Sequence, residues 1–163
     1  MNNTIIKEIQ GSQMYLIKDD VGISNELNQL GIHEESSTEI VRNSIKKGMI
    51  FLDIGCNLGY YALIAAKQGA IVHAIEPVPK NMEMFIKSVE ENEYDDVFTY
   101  QVALGDVNEV SKMKLTVYSN NGTLLDSEVS SDWYLWWLSH IGTEEILVAT
   151  MRLDDFMKEY KLP

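Results

Sequence analysis

Two glycines and a glutamate in the first half of the chain have the types and spacing of a cofactor-binding site. Gly55 and Gly59 follow the apolar segment 49–54, and glycine there lets the backbone turn sharply and lets a ligand approach it closely. Glu76 ends the next apolar segment, 21 residues after Gly55, where a carboxylate can accept hydrogen bonds from both hydroxyls of a ribose. A helix that starts after Gly59 adds unpaired backbone N–H groups. The pattern predicts a site for a cofactor that contains adenosine.

The glycine spacing and the charge of Asp53 distinguish two classes of such cofactors. The sequence has G-x-x-x-G at 55–59, whereas dinucleotide-binding domains typically have G-x-G-x-x-G. Asp53 precedes the loop, and a carboxylate there repels a pyrophosphate but attracts an ammonium or sulfonium group. Both features favour S-adenosyl-L-methionine over NAD. A domain that binds NAD or a nucleotide sugar is the less favoured alternative.

The chain around these residues alternates between short apolar runs and amphipathic runs. Short apolar runs closed by glycine or proline are typical of buried parallel strands, and apolar residues spaced three and four apart are typical of helices. The predicted strands are 49–55, 70–76 and 97–104, and the predicted helices are 36–47, 60–68 and 80–91. The first helix is predicted from the capping-box spacing of Ser36 and Glu39. This order predicts a right-handed βαβαβ unit, which is half of a doubly wound α/β sheet.

The pattern changes after the third predicted strand. Apolar and polar residues alternate at 112–118, and Asn121-Gly122 follows as a turn signal, so an antiparallel hairpin is predicted at the sheet edge. The segment 146–151 predicts one more strand, and Asp154 is a predicted N-cap for a short helix. We expect residues 1–163 to form a single cofactor-binding α/β domain, with residues 1–34 as an N-terminal extension.

Composition bears on the kind of partner and on the cellular compartment. The 163 residues include 25 acidic and 13 basic side chains, which give a formal net charge of −12. A negative field argues against nucleic acid or an anionic membrane surface as a partner. The single cysteine, Cys56, excludes an internal disulfide framework and suits the cytoplasm. The first ten residues lack a signal-peptide pattern, and no segment has the ~20 apolar residues that a membrane span needs.

Four motifs, in order, resemble those of the FkbM-type methyltransferase family. They are residues 51–61 (FLDIGCNLGYY), 74–77 (AIEP), 102–106 (VALGD) and 150–156 (TMRLDDF). The resemblance implies a Rossmann-like, class I fold that depends on S-adenosyl-L-methionine. In that family the first motif holds the amino-acid part of the cofactor, the second holds the ribose and the third flanks the adenine. The resemblance also implies O-methylation of a small-molecule or sugar-type acceptor.

Seven residues of these motifs are implied to bind the cofactor. They are Asp53, Gly55, Asn57, Gly59, Glu76, Ala103 and Asp106. The resemblance covers roughly residues 35–156, and because the three histidines are scattered along the chain, no metal site is predicted. The sequence identifies neither a catalytic residue nor a general base.

The chain departs from the family pattern after the motif at 150–156. The family continues there with further strands, one of which is expected beside residues 51–54, whereas this sequence stops at Pro163. An apolar central strand with an unpaired edge is disfavoured. We therefore expect either that a partner chain, such as a second copy, covers that edge or that the sequence is a fragment of a longer protein. The alternative function is that of a non-catalytic S-adenosyl-L-methionine-binding protein or one half of a multi-chain assembly.

Several reactive or aromatic residues are interpreted as structural. Cys56 is interpreted as a packed thiol, because methyl transfer needs no covalent intermediate. His73 lies within an apolar strand and is expected in the core or on the face of that strand. His33 and His140 are expected at the surface, and either could act as a base if it folded over the acceptor. The aromatic cluster 133–138 is interpreted as packing on the sheet, with contact to the acceptor as the alternative.

Overall fold

The computed structural model describes residues 3–116, 118, 123–124 and 142–162. Its strands are β1 (Thr4–Ile9), β2 (Ser12–Ile17), β3 (Ile50–Ile54), β4 (Ile71–Ile75), β5 (Val97–Tyr100), β6 (Ala103–Gly105), β7 (Glu109–Thr116), β8 (Thr123–Leu124) and β9 (Gly142–Arg152). Its helices are α1 (Ile23–Leu30), α2 (Glu35–Ser44), α3 (Tyr60–Lys67), α4 (Pro79–Glu91) and α5 (Leu153–Glu159). In this part of the chain, no helix combines the length and the apolar character that crossing a membrane requires.

A parallel sheet in the order β3-β4-β5 positions the predicted cofactor residues. Helix α3 connects β3 to β4, and α4 connects β4 to β5, so the predicted βαβαβ unit is confirmed. In the β3-β4 register Asp53 lies opposite Ala74 and Ile54 lies opposite Ile75. The two strands therefore end side by side, which places Asp53 and Glu76 at the same edge of the sheet.

A second sheet has the order β6-β9-β7-β8. The single strand predicted at 97–104 is therefore wrong, because β5 pairs with β4 whereas β6 pairs in parallel with β9. The chain leaves the first sheet at Gln101, and the Val102 N–H donates to the Tyr100 carbonyl at 3.1 Å. Two residues thus suffice to move the chain from one sheet to the other.

The predicted hairpin is present, since β7 and β8 pair antiparallel with Met113 opposite Leu124. Its predicted turn at Asn121-Gly122 lies outside the described residues, as do the aromatic cluster 133–138 and His140. Strand β9 is longer than the predicted segment 146–151 and pairs with both β6 and β7.

Residues 4–17 form a hairpin of β1 and β2. Gln10 and Gly11 form its turn with φ values of 54° and 79°, which two-residue hairpin turns require. The hairpin packs on α4, where the Tyr15 N–H donates to the Ser88 hydroxyl at 2.9 Å. Leu16 is fully buried, so this segment forms part of the main hydrophobic core.

Helix α2 begins and ends earlier than predicted. Glu34 precedes it with a φ of 44°, and neither Ser36 nor Glu39 caps it. Thr38 fixes the start instead, because its N–H donates to the Glu34 carbonyl at 2.9 Å and its hydroxyl donates to the His33 carbonyl at 2.6 Å. These bonds tie the segment before α2 to the helix, which matters for the site described below.

The second edge of β3 has no partner among the described strands. Ile50 and Ile54 are exposed to 47% and 52%, which is unusual for the apolar residues of a central strand. This exposed edge is the one at which the family pattern predicts a further strand.

Candidate functional site

A cavity of about 250 Å³ lies at the carboxyl ends of β3 and β4. Four of the seven predicted cofactor residues line it, namely Asp53, Gly55, Asn57 and Glu76. The other lining residues are Ile23, His33, Cys56, Tyr60, Tyr61, Pro77, Val78 and Met113. This edge of a parallel sheet is where ligands of α/β folds bind.

The two glycines of the loop after β3 have different roles. Both have positive φ values, 74° at Gly55 and 79° at Gly59. A Cβ atom built on Gly55 would meet no other atom within 4 Å, so its backbone faces open space. A Cβ atom on Gly59 would lie 1.9 Å from Cδ2 of Phe85. Gly55 thus leaves room for a ligand, whereas Gly59 lets α4 pack against the loop.

Glu76 joins the loop to the start of α4. Its side chain is buried and accepts hydrogen bonds from the Asn57 N–H at 3.0 Å and the Val78 N–H at 2.9 Å. Burial raises the pKa of Glu76, while these two N–H groups lower it. Each carboxylate oxygen has two lone-pair sites, so the oxygen that faces Asn57 can also accept a hydroxyl of a ligand. The geometry is thus compatible with the predicted contact between Glu76 and a ribose hydroxyl.

Asp53 has an unusual environment for a carboxylate. Its Oδ2 atom is buried and has no hydrogen-bond partner among the described residues. Burial raises the pKa of Asp53 to about 6; the Ala62 N–H lowers it, and the charge of Glu76 adds a small increase. An unsatisfied buried oxygen costs free energy and calls for an explanation. A cationic group of a ligand in the cavity would satisfy it, so the residues present fit an ammonium group.

The remaining predicted cofactor residues lie outside the lining. Ala103 is buried against Val78 and Met113, which line the cavity, so it lies one layer behind the wall. Asp106 lines a separate cavity with Arg152. Roles for Gly59, Ala103 and Asp106 in cofactor binding stay predictions. Within the described ranges, no group of three or more His, Cys, Asp and Glu residues is arranged to hold a metal ion.

Sequence reasoning did not assign His33 to the cavity. His33 lies between α1 and α2, where no periodic pattern gives a signal, and it reaches the cavity only through tertiary packing. Tyr60 and Tyr61 belong to the first motif, and their rings contact each other edge to face at 5.1 Å between centroids. The lining of the cavity therefore includes two aromatic residues in contact with each other and one histidine.

Burial of Cys56 predicts a slow reaction with alkylating agents. The residue is 6% exposed, and burial raises the pKa of its thiol well above the ordinary value. Since the thiolate is the reactive form, we expect iodoacetamide at pH 8 to modify the native protein about tenfold or more slowly than the urea-unfolded chain, as followed by mass spectrometry. Equal rates in the two states would instead favour an activated, nucleophilic thiol.

Comparison with known proteins identifies a protein family that matches this chain. Residues 53–163 match the model of the methyltransferase FkbM domain. A search of curated proteins found no match.

Two solved structures show the same fold. A SAM-dependent methyltransferase from Agrobacterium tumefaciens is 15% identical over 62% of this chain and 33% of its own, with a TM-score of 0.50. Pyrococcus horikoshii TYW2 in complex with MeSAdo is 15% identical over 63% of this chain and 37% of its own, with a TM-score of 0.51. The chain thus spans about a third of their length. The predicted Rossmann-like fold of class I S-adenosyl-L-methionine-dependent methyltransferases is confirmed, and S-adenosyl-L-methionine is the cofactor of that fold class.

The prediction of a small-molecule or carbohydrate acceptor and no nucleic acid is contradicted. A further matching structure is the complex of aTrm5 and tRNALeu, 12% identical over 67% of this chain and 34% of its own, with a TM-score of 0.49. The net charge of −12 is a sum over one chain, and it is an insufficient reason to exclude nucleic acid. Contacts with nucleic acid are made by local groups of side chains, which the summed charge of a chain does not describe.

Proposed function

Because the chain belongs to the FkbM methyltransferase family, we propose that it binds S-adenosyl-L-methionine in the cavity at β3 and β4 and transfers the methyl group to an oxygen nucleophile. The observation that carries the proposal is the buried Oδ2 atom of Asp53, which lacks a hydrogen-bond partner among the described residues, in a residue that lines the cavity together with Gly55. The family resemblance supports oxygen as the methylated atom.

Three residues would hold the cofactor. Asp53 pairs with its ammonium group, which satisfies the buried oxygen. Gly55 admits the ligand next to the backbone, and Glu76 accepts hydrogen bonds from the ribose hydroxyls while the Asn57 and Val78 N–H groups keep its carboxylate in place. Such fixed acceptors orient a ligand without having to reorganise when it binds.

The bound cofactor would supply an electrophilic methyl group on a positively charged sulfonium. The protein's part is to orient the acceptor and to exclude water from the cavity. Tyr60 and Tyr61 form an aromatic wall that suits both tasks. The activity is proposed for a chain that spans about a third of the matched structures. We also propose a cytoplasmic location, which the single buried cysteine supports.

A non-catalytic cofactor-binding role is the second candidate. The exposed edge of β3, with Ile50 and Ile54 about half exposed, favours it because the cavity lies at the end of that strand. Formation of S-adenosylhomocysteine distinguishes the candidates. When the protein is incubated with S-adenosyl-L-methionine and fractionated cell extract, a catalyst raises the amount formed above that of the extract alone, whereas a binding protein does not.

Isothermal titration tests the proposed site. We expect the intact chain to bind S-adenosyl-L-methionine and Glu76→Gln to bind it about tenfold or more weakly, because a charged acceptor is lost. Glu83→Gln is the matched control, since Glu83 is an exposed residue of α4 whose side chain contacts Lys87. Thermal unfolding of each variant separates loss of binding from loss of fold. No binding by the intact chain, or equal affinities for Glu76→Gln and the wild type, would refute the proposal.

A further inference from the structure

His33 is held against the cavity by contacts on both of its neighbouring helices. Its Nδ1 atom lies 2.8 Å from Oε2 of Glu26 in α1. Its backbone N–H donates to the Tyr60 hydroxyl at 3.3 Å, and its carbonyl accepts the Thr38 hydroxyl at 2.6 Å. The imidazole packs edge to face on Tyr60, and its side chain is 18% exposed. The ring is therefore fixed in place, and His33 is one of the residues that line the cavity.

The contact with Glu26 defines the proton arrangement of the ring. A carboxylate at Nδ1 favours the tautomer in which Nδ1–H donates to Glu26, which leaves Nε2 free to accept a proton. Glu34 Oε1 lies 3.8 Å from Nε2, but its carboxylate already accepts the Tyr61 hydroxyl at 2.9 Å.

The other titratable groups of the cavity are poor bases for an acceptor hydroxyl. Asp53 and Glu76 are needed for the cofactor in the proposed function. Burial raises the pKa of the Cys56 thiol well above its ordinary value, and burial with the bond to Glu34 raises the pKa of Tyr61 to about 12. The Tyr60 hydroxyl is already in a hydrogen bond, because it lies 3.0 Å from the Thr38 hydroxyl. An imidazole is the side chain whose ordinary titration range suits this task.

We propose, resting on the proposed function, that His33 is the general base of the methyl transfer and that Glu26 is its positioning residue. The acceptor O–H bond breaks and its proton passes to Nε2 of His33. The oxygen forms a bond to the methyl carbon, the carbon–sulfur bond breaks, and its electron pair stays on sulfur as a neutral thioether. Charge is conserved, because the sulfonium loses one positive charge and the imidazole gains it.

The proposal requires the imidazole to face the sulfonium charge, and NMR measures this without an identified acceptor. The Cε1–H resonances of the three histidines are titrated in ¹³C-labelled protein saturated with S-adenosyl-L-methionine or with S-adenosylhomocysteine, which lacks the charge. We expect the midpoint of His33 to lie about 0.5 to 1 pH unit lower in the S-adenosyl-L-methionine complex, since a nearby cation disfavours imidazolium. His73, which contacts the Tyr100 hydroxyl at 2.8 Å and stacks on Phe98, is the internal control and should be unaffected.

The outcomes are distinct. His33→Asn assigns the resonance, and Glu26→Gln assigns it independently by shifting only the ring that loses its partner. Nitrogen-15 shifts are expected to show the Nδ1–H tautomer at neutral pH, and an Nε2–H tautomer would overturn the proposal. Identical midpoints of His33 in two saturated complexes would overturn it as well. Failure to bind either ligand would refute the proposed function instead.

Discussion

Replacing Gly59 by alanine is expected to lower the free energy of unfolding by about 2–5 kcal/mol. A left-handed conformation costs a residue with a Cβ about 1–2 kcal/mol, and overpacking of a core adds about 1–3 kcal/mol. Both costs apply, because Gly59 has a φ of 79° and its added Cβ would lie 1.9 Å from the ring of the fully buried Phe85. Equilibrium unfolding in urea measures the change from the midpoint and slope.

Gly55→Ala is the matched control for this effect. Its φ of 74° is nearly that of Gly59, but its added Cβ meets no atom within 4 Å, so we expect a loss of only about 1–2 kcal/mol. In the proposed function the same Cβ occupies space that the cofactor needs, so Gly55→Ala should weaken S-adenosyl-L-methionine binding more than its small loss of stability suggests. Equal destabilisation by the two substitutions would show that contact with Phe85 is not decisive.

The elements around the site could be predicted from sequence because their signals are local. The apolar run that forms β3 and the spacing of Met82, Phe85 and Val89 in α4 are set by residues close in the chain. The break between β5 and β6 could not be predicted, since residues 97–104 form a continuous pattern. Only pairing with β4 on one side and β9 on the other divides it.

The residues of the candidate site also differ in whether local sequence or tertiary contacts determine their position. Asp53, Gly55 and Glu76 could be predicted, because each lies at the end of a strand that its own neighbours specify. His33 could not, because its place in the cavity depends on Glu26, Thr38 and Tyr60, which come from three different helices. The hairpin of β1 and β2 had a signal at Gln10-Gly11, yet its packing on α4 is a long-range contact.

Asp53→Asn is expected to stabilise the ligand-free protein while it weakens cofactor binding. The pKa of Asp53 in the folded protein is about 6, above its ordinary value of 3.8, so folding disfavours the ionised form. The penalty is present above pH 6 and disappears as the pH falls toward 4. At pH 8 the variant should therefore be more stable than the wild type by up to about 3 kcal/mol, and at pH 4 the two should be equal. Urea unfolding at both pH values measures this difference.

The affinity for the cofactor should change in the opposite direction to the stability when Asp53 is replaced. The ammonium group of S-adenosyl-L-methionine needs an ionised carboxylate, so wild-type affinity is expected to fall by up to about tenfold per pH unit below pH 6. Affinity of Asp53→Asn should be lower at pH 8 and should depend less on pH than that of the wild type. Asp95→Asn, at an exposed residue before β5, is the control and should change neither property. If Asp53→Asn binds as tightly as the wild type at pH 8, its buried oxygen is not a cofactor ligand. If the expected pattern holds, the protein keeps an unfavourable carboxylate in its fold because the cofactor's charge neutralises it.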